Sequence, residues 1–338
     1  MQILNKSKST FYAFLIWPFF ALSLTSCSAQ NSVCLPVEMN PYPNDPALVE
    51  FTQYVHVLDC FEVFAEAGIS EEKVLHVAAV IAELLDQNED GIVDDFALAE
   101  ALDGADAMMP VFTGEGSVAE DVFFEMYEGD GVSAVLYAGE INPSEPGYWG
   151  EDATVEEVLH TINHVGHVVL HPDAFGLAPG SSLLTEAMDV ARGGQFLSVP
   201  DEYPEEAWYH YDDWTCDYEC MAIEYLYWAI VTEMGILDDP QTAQGIANEW
   251  EPYSPALLES MDPLVHNLIN NSTFALPLQA PDGNYCPSAT DIHAPSNDGV
   301  SLVKIVDLMG RISRAEAGAL QLYIYEDGRV VKKVIAND

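Results

Sequence analysis

The sequence predicts a mainly α fold of the α+β class, and two patterns carry this prediction. Between residues 51 and 286, apolar residues recur largely at the spacing of amphipathic or buried helices. The end of the chain, ALQLYIYEDGRVVKKVI, alternates instead around Asp327-Gly328, which is typical of a β-hairpin. We therefore expect a helical body followed by a small C-terminal β-hairpin.

Composition divides the 338-residue chain into consecutive segments. Residues 1–26 have the pattern of a signal sequence, and residues 27–50 form a polar, proline-bearing tether. Residues 51–150 are expected to be an N-terminal helical lobe with an acidic loop. Residues 151–286 are expected to be a second helical lobe that holds a metal site, and residues 300–338 the β appendage.

The first lobe should contain several helices. An apolar pattern from about Ala47 to Gly68 predicts a helix, and Ser70 with the acids behind it is typical of an N-cap for the stretch KVLHVAAVIAELL. Another helix should follow over FALAEAL. Residues 103–150, which are rich in glycine and acid, should mix short helices with loops.

The second lobe should be built on three helices. The first begins near Asp152 and is stopped by Pro172. A short one runs from Leu183 to Ala191 and is ended by a glycine pair. The third, from Ala222 to Met234, is apolar on all sides and should be buried.

The N-terminus indicates export. Two lysines precede the apolar run FYAFLIWPFFALSL, which is too short for a membrane span. Leu24-Thr25-Ser26-Cys27 resembles a bacterial lipoprotein signal, which implies that Cys27 is lipidated and becomes the mature N-terminus. An ordinary signal peptide cut near Ala29 is the alternative. We expect an outer-membrane or cell-surface protein, periplasmic or extracellular, that meets the membrane only through this lipid anchor.

The charge balance excludes one class of partner. The chain has 56 acidic and 10 basic residues, a net charge of −46, and only Lys73 and Arg192 are basic between Leu35 and Cys286. Such a surface repels nucleic acid, so we exclude DNA and RNA as partners. It attracts cations, although solubility in a saline setting explains most of the charge.

Cysteine spacing permits disulfides in an exported protein. Without Cys27, five cysteines remain, so at least one is free or pairs between chains. Cys216 and Cys220 lie one helical turn apart and can be bridged. Cys34 with Cys60 is the other predicted pair.

An acidic loop between the two predicted helices around residue 90 resembles an EF-hand calcium loop. Its oxygen-bearing residues alternate around Gly91, and hard oxygen ligands suit calcium. Ala97 replaces the glutamate at the last position of such loops, where Asp95 could substitute. The alternative is an acidic helix–helix turn. We expect a structural calcium ion held by Asp86, Asn88, Asp90, the carbonyl of Ile92, Asp94 and Asp95.

Four histidines at positions 160, 164, 167 and 171 fall on one stripe of a helix, because their steps are four, three and four. Imidazole is the commonest protein metal ligand. Glu156 and Glu157 lie one turn upstream and flank the stripe. The pattern predicts a transition-metal site, with zinc preferred because imidazole with carboxylate suits it. His167 is a further candidate ligand, although it and His171 could instead cap the helix end.

The layout of residues 153–195 resembles zincin-type metallohydrolases. His160 and His164 form an HxxxH pair, but Thr161 and Asn163 stand where the HExxH and HxxEH motifs have glutamate. The resemblance implies a helical zincin-like core in which His160, His164 and Glu186 bind zinc. It also implies that Asp189 fixes an imidazole and that Glu157 or Glu156 is the general base.

Other candidates lie further along the chain. Arg192 either pairs with Asp189 or holds a substrate carboxylate or oxyanion. In the aromatic block at residues 203–214, His210 and Tyr211 are candidates to stabilise an oxyanion, as is Tyr209, although packing explains most of these rings.

These patterns together predict an exported, lipid-anchored, zinc-dependent hydrolase that resembles peptidases and acts on a peptide or another small or polymeric substrate. One alternative is a non-catalytic surface lipoprotein that binds calcium and zinc. Another is a carbohydrate-active enzyme that pairs Glu156 or Glu157 with Asp213.

Overall fold

The computed structural model describes residues 34–144 and 152–287, together with four strands between residues 302 and 334. The predicted signal sequence, Cys27 and the start of the tether lie outside the described residues. The body combines a mixed sheet with many helices, so the fold is mixed α/β rather than mainly helical.

The first part of the body is built on a five-stranded sheet in the order β1-β2-β3-β4-β5. β1, β2 and β3 pair antiparallel, whereas β4 pairs parallel with both β3 and β5. The strands are β1 (Glu38–Met39), β2 (Phe51–Val57), β3 (Phe61–Glu66), β4 (Met108–Phe112) and β5 (Leu136–Tyr137).

The helix predicted from Ala47 to Gly68 is therefore wrong, because this segment forms the β2–β3 hairpin. Its residues are largely β-branched and aromatic, which favours strands. Leu58 and Asp59 have φ of 49° and 57°, the left-handed backbone of a tight hairpin turn. A short apolar run is compatible with either a buried strand or a buried helix, so the apolar pattern of this segment was not sufficient to predict a helix.

Three helices of the first part are α1 (Glu71–Leu85), α2 (Phe96–Gly104) and α3 (Val118–Met126). The predicted pair of helices around the acidic loop is confirmed as α1 and α2. Ser70 is the N-cap of α1, and Asp95 caps α2 by accepting the backbone N–H groups of Ala97 and Leu98. α1 is buried along most of its length and contacts β2 and β3.

The second part begins with α4 (Thr154–Thr161), which also contacts α1, and continues through a π-helix at Ile162–His167 into the short α5 (Val168–Leu170). α8 (Tyr218–Glu233) is buried on nearly all sides and contacts both α4 and α7. None of the helices in the described part of the chain is long and apolar enough to span a bilayer. The remaining helices are α6 (Pro172–Phe175), α7 (Leu183–Ala191), α9 (Pro240–Ile246), α10 (Pro255–Met261) and α11 (Pro263–Ile269).

Two disulfides close loops in the body. Cys216 is bridged to Cys220, as predicted, and Cys34 is bridged to Cys286. The predicted pairing of Cys34 with Cys60 is wrong, since Cys60 is a buried free thiol. The segment before Cys286 returns to α1, where the Glu83 carboxylate accepts the N–H groups of residues 283 and 284 at 2.9 Å each.

The C-terminal residues form a second, four-stranded antiparallel sheet in the order β7-β6-β8-β9. β8 and β9 are the strands on either side of Asp327-Gly328, so the predicted hairpin is confirmed and extended by two further strands. The strands are β6 (Leu302–Asp307), β7 (Ile312–Ser313), β8 (Leu320–Tyr325) and β9 (Val330–Val334).

Candidate metal centre

A cleft of about 330 Å³ opens between α4 and the first turns of α8. Both helices contribute glutamates, and the π-helix contributes a histidine. Several apolar side chains also line the cleft. The lining residues are Ser133, Ala134, Glu156, Glu157, His160, His164, Leu177, Glu219, Cys220, Ile223 and Glu224.

Three side chains in this cleft form a group that could hold a metal ion: Glu156, His160 and Glu224. One ligand atom from each lies within 4.8 Å of the other two. His160 Nε2 is 3.5 Å from Glu224 Oε1. The sequence predicted the first two residues as a candidate base and a ligand, and the structure adds Glu224.

Helix geometry explains how the group is assembled. Glu156 and His160 are one turn apart on α4 and therefore share a face. Glu224 comes from α8, which packs against that face. Two tyrosine hydroxyls hold the carboxylates: Tyr227 donates to Glu156, and Tyr211 donates to Glu224.

The electrostatics of the cleft are those of crowded carboxylates. Burial raises the pKa of Glu156 to about 6 and that of Glu224 to about 7. Burial and then the negative charges of Glu156, Glu140 and Glu224 raise the pKa of Glu157 to about 9. Burial also lowers the pKa of His160. Every one of these shifts disfavours the charged form.

A divalent transition metal fits this arrangement. The His160 ring is buried, and its Nδ1 has no hydrogen-bond partner. Every ion pair found in the described part of the chain uses a histidine as its cation, so no lysine or arginine compensates the cleft carboxylates there. An imidazole with two carboxylates is a common donor set for such metals.

The π-helix breaks the histidine stripe. The N–H of Val168 donates to the carbonyl of Asn163, which is five residues earlier in the chain. This turn therefore contains one residue more than a turn of α-helix. Residues beyond this turn are rotated relative to a regular helix. His160 and His164 still line the same cleft, but His164 is exposed at its rim and outside the three-residue group.

The last two histidines lie outside the cleft. His167 is buried, with Nδ1 3.0 Å from Asn163 Oδ1, and burial lowers its pKa to about 4. His171 packs its ring against Phe175 and Phe274. His167 is therefore a neutral core residue, and neither ring belongs to the Glu156–His160–Glu224 group.

The two α7 candidates also lie elsewhere. Glu186 is exposed and does not line the cleft. The Asp189 carboxylate accepts hydrogen bonds from Tyr218 Oη at 2.8 Å and Gln195 Nε2 at 2.9 Å, so its partners are not histidines. The structure does not bring Glu186 to the metal group.

Arg192 is fully buried at the end of α7. Its Nη1 donates to the carbonyl of Phe196 at 2.9 Å, and its guanidinium lies over the rings of Phe196 and Tyr203, 5.3 and 5.6 Å from their centroids. It neither pairs with Asp189 nor lines the cleft.

The aromatic block contributes one residue to the site. The Tyr211 hydroxyl reaches Glu224, whereas the His210 ring packs against Tyr203, with centroids 5.5 Å apart. Tyr209 is buried in the core. Asp213, the proposed partner in a carbohydrate-active site, does not line the cleft and binds the Thr215 hydroxyl and N–H instead.

Glu224 is the residue that sequence reasoning missed. It stands in Glu224-Tyr225-x-Tyr227-Trp228, a stretch whose rings point to core packing. One signal in the sequence could have identified Glu224, namely a carboxylate within a helix that is otherwise apolar and predicted to be buried. An acidic side chain is rarely buried without a partner, so such a residue is a candidate for a site.

The acidic loop between α1 and α2 uses its carboxylates internally. Asp86 is fully buried and accepts the N–H of Gly91 and the hydroxyl of Tyr285, both at 2.7 Å. Asp94 accepts from Asn88 and from the N–H of Gln87. Gly91 has φ +86°, which the sharp turn requires. Calcium binding here stays a prediction.

Comparisons of this chain with protein-family models, with curated proteins and with solved structures gave no match. The zincin-like core therefore also stays a prediction, and function must be argued from the cleft itself.

Proposed function

We propose that this protein is an exported, zinc-dependent hydrolase that cleaves peptides. The observation that carries the proposal is the group formed by Glu156, His160 and Glu224 in an open cleft, with a further carboxylate, Glu157, beside it. A hydrolytic metal site needs three protein ligands, an accessible position and a base, and these residues supply that set.

The chain's own residues have distinct roles in this proposal. A bound zinc ion would polarise the scissile carbonyl and make water easier to deprotonate. A cation bound beside Glu157 would lower the pKa of this carboxyl, and Glu157 would then take the proton from the attacking water at a carboxylate oxygen and return it to the leaving amine. Tyr211 and Tyr227 orient the carboxylates of Glu224 and Glu156 through their hydroxyl groups.

Export and lipid anchoring at Cys27 are part of the same proposal. Two disulfides in the body support an oxidising compartment, because such bonds are rare in the cytosol. The N-terminal segment, which has the pattern of a signal sequence, would direct the protein out of the cytosol.

Metal analysis tests the proposal. The purified protein should contain about one zinc per chain. Glu156→Gln and Glu224→Gln should lose it, whereas Glu186→Gln should keep it, because Glu186 is exposed outside the cleft. Glu157→Gln should keep zinc and lose chelator-sensitive cleavage of fluorogenic peptides. Zinc loss in Glu186→Gln instead would favour the ligand set implied by the zincin resemblance.

Two other functions would give different results. A non-catalytic metal-binding lipoprotein would bind zinc in the same way but cleave no peptide. A carbohydrate-active enzyme would act without metal. One observation favours the carbohydrate-active enzyme. A carboxylate oxygen of Glu156 lies within 4.8 Å of a carboxylate oxygen of Glu224, which is near the separation of the two carboxyl groups in retaining glycosidases. Cleavage of oligosaccharides in the presence of chelator would favour that enzyme.

A further inference from the structure

The charge of the cleft suggests what kind of substrate it accepts. Four glutamates and two histidines line it, and no lysine or arginine does. The two ligating carboxylates would balance a divalent ion. Glu219 then remains as the exposed acidic group that a substrate meets.

No basic side chain from the body can change this balance. Lys73 and Arg192 are the only lysine or arginine residues in the sequence between positions 35 and 286, including residues 145–151, which precede α4 in the sequence. Lys73 Nζ donates to the Ala138 carbonyl, and Arg192 is buried against aromatic rings. Neither lines the cleft.

The cleft therefore has nothing to bind a substrate carboxylate apart from the ion and its histidines. His164 lies at the exposed rim of the cleft, which Glu219 also lines. A substrate with an acidic residue or a free C-terminus at this position would face uncompensated repulsion.

The lining of the cleft also includes apolar side chains, among them Leu177, Ile223 and Ala134. Glu219, which also lines the cleft, is exposed on the first turn of α8. A lysine or arginine side chain matches this surface, because its aliphatic stem packs on apolar groups while its charged head stays near water and a carboxylate.

We infer that the cleft selects peptides with a lysine or arginine side chain beside the scissile bond, and that Glu219 recognises the charge. This inference rests on the proposed peptidase function, and it adds a substrate class and a specificity residue to it.

The test uses internally quenched peptides that are identical except for a central Lys, Gln or Glu, with zinc-loaded full-length protein. We expect kcat/KM to fall in the order Lys, Gln, Glu. In Glu219→Gln, KM for the Lys peptide should rise about two- to fivefold with kcat unchanged, as for loss of one exposed ion pair. Glu219→Lys should reverse the order. Glu259→Gln, a change at an exposed glutamate of α10, is the matched control and should behave as wild type.

A second readout is independent of turnover. Calorimetric titration of zinc-loaded Glu157→Gln should show tighter binding of the Lys peptide than of the Glu peptide, with the difference shrinking at high salt. Cleavage or binding without this charge preference would overturn the inference and leave the hydrolase proposal intact. If the zinc-loaded protein cleaves none of the peptides, the peptidase proposal fails, and the binding comparison alone decides the charge preference.

Discussion

At the scale of single residues, Arg192 shows how this chain accommodates a buried cation. Its guanidinium is enclosed by Phe196, Tyr203 and Met221, and Nη2 lies 3.0 Å from the Met221 sulfur. The planar guanidinium lies flat on ring faces, which an ammonium group cannot do as well. We therefore assign Arg192 to the packing of the α7–α8 region.

Arg192→Lys should lower the free energy of unfolding by about 2 kcal/mol, because ring stacking and the bond to the Phe196 carbonyl are both lost. Urea denaturation measures this loss. Zinc content and peptide preference should not change. A variant as stable as wild type but without hydrolysis would instead place Arg192 in the site.

The residue scale also shows what the sequence could reveal of the site. Glu156, Glu157, His160 and His164 could be found because local helix spacing places them together. Glu224 could not be assigned from spacing, since its place beside His160 depends on how α8 packs against α4. Glu186 was predicted as a metal ligand because the layout of this segment resembles that of zincins, but the structure shows that Glu186 is exposed to solvent.

At the scale of secondary-structure elements, local signals define single helices, whereas long-range contacts determine how the elements pack together. Helices with clear start and stop signals, such as α1 and α7, were predicted well, because their caps act locally. The β2–β3 hairpin was predicted wrongly as a helix, because the pairing of β3 with β4 is a long-range interaction that overrides a helix-like apolar pattern.

Glu83 joins α1 to the segment before Cys286, and this link should be pH-dependent. Burial raises the pKa of Glu83 from 4.5 to about 7. The folded state thus holds this proton more tightly than the unfolded state, so stability is lost as pH rises from about 4.5 to about 7.

Glu83→Gln should remove this component of the pH dependence. Unfolding free energies measured between pH 5 and pH 8 should fall less steeply for Glu83→Gln than for wild type. Glu72→Gln, at an exposed position on the same helix, is the control and should follow the wild-type profile. Parallel profiles for wild type and Glu83→Gln would contradict the assignment.

The acidic loop between α1 and α2 gives a second prediction at this scale. Calcium should raise the melting temperature with weak affinity, on the order of 0.1–1 mM, because Ala97 supplies no side-chain ligand. Magnesium should have less effect, since it requires stricter geometry. Asp90→Asn should abolish the calcium shift, whereas Asp86→Asn should destabilise the protein even without calcium, because Asp86 binds Gly91 and Tyr285. Equal shifts with both ions would indicate charge screening only.

At the scale of the whole molecule, the Cys34–Cys286 disulfide constrains the chain most. It spans 252 residues of sequence, so it removes much conformational freedom from the unfolded state. All residues of the metal group lie inside this loop, and the C-terminal sheet lies beyond it.

Cys34→Ser should lower the unfolding free energy by about 2–5 kcal/mol, as for the loss of other structural disulfides. Urea unfolding under non-reducing conditions measures this change. Cys60→Ala is the matched control, because this buried thiol forms no disulfide, and it should cost less. A larger loss for Cys60→Ala than for Cys34→Ser would show that core packing near the β2–β3 turn outweighs the cross-link.

The same disulfide has a topological consequence. The Cα atoms of Cys34 and Cys286 are 5.2 Å apart, so the two ends of the body meet and the polypeptide between them forms a closed circle. Such a body suits circular permutation. A short peptide joining residue 286 back to residue 34, with new termini opened in an exposed surface turn, would change the order of the sequence while α4 and α8 still face each other across the metal centre.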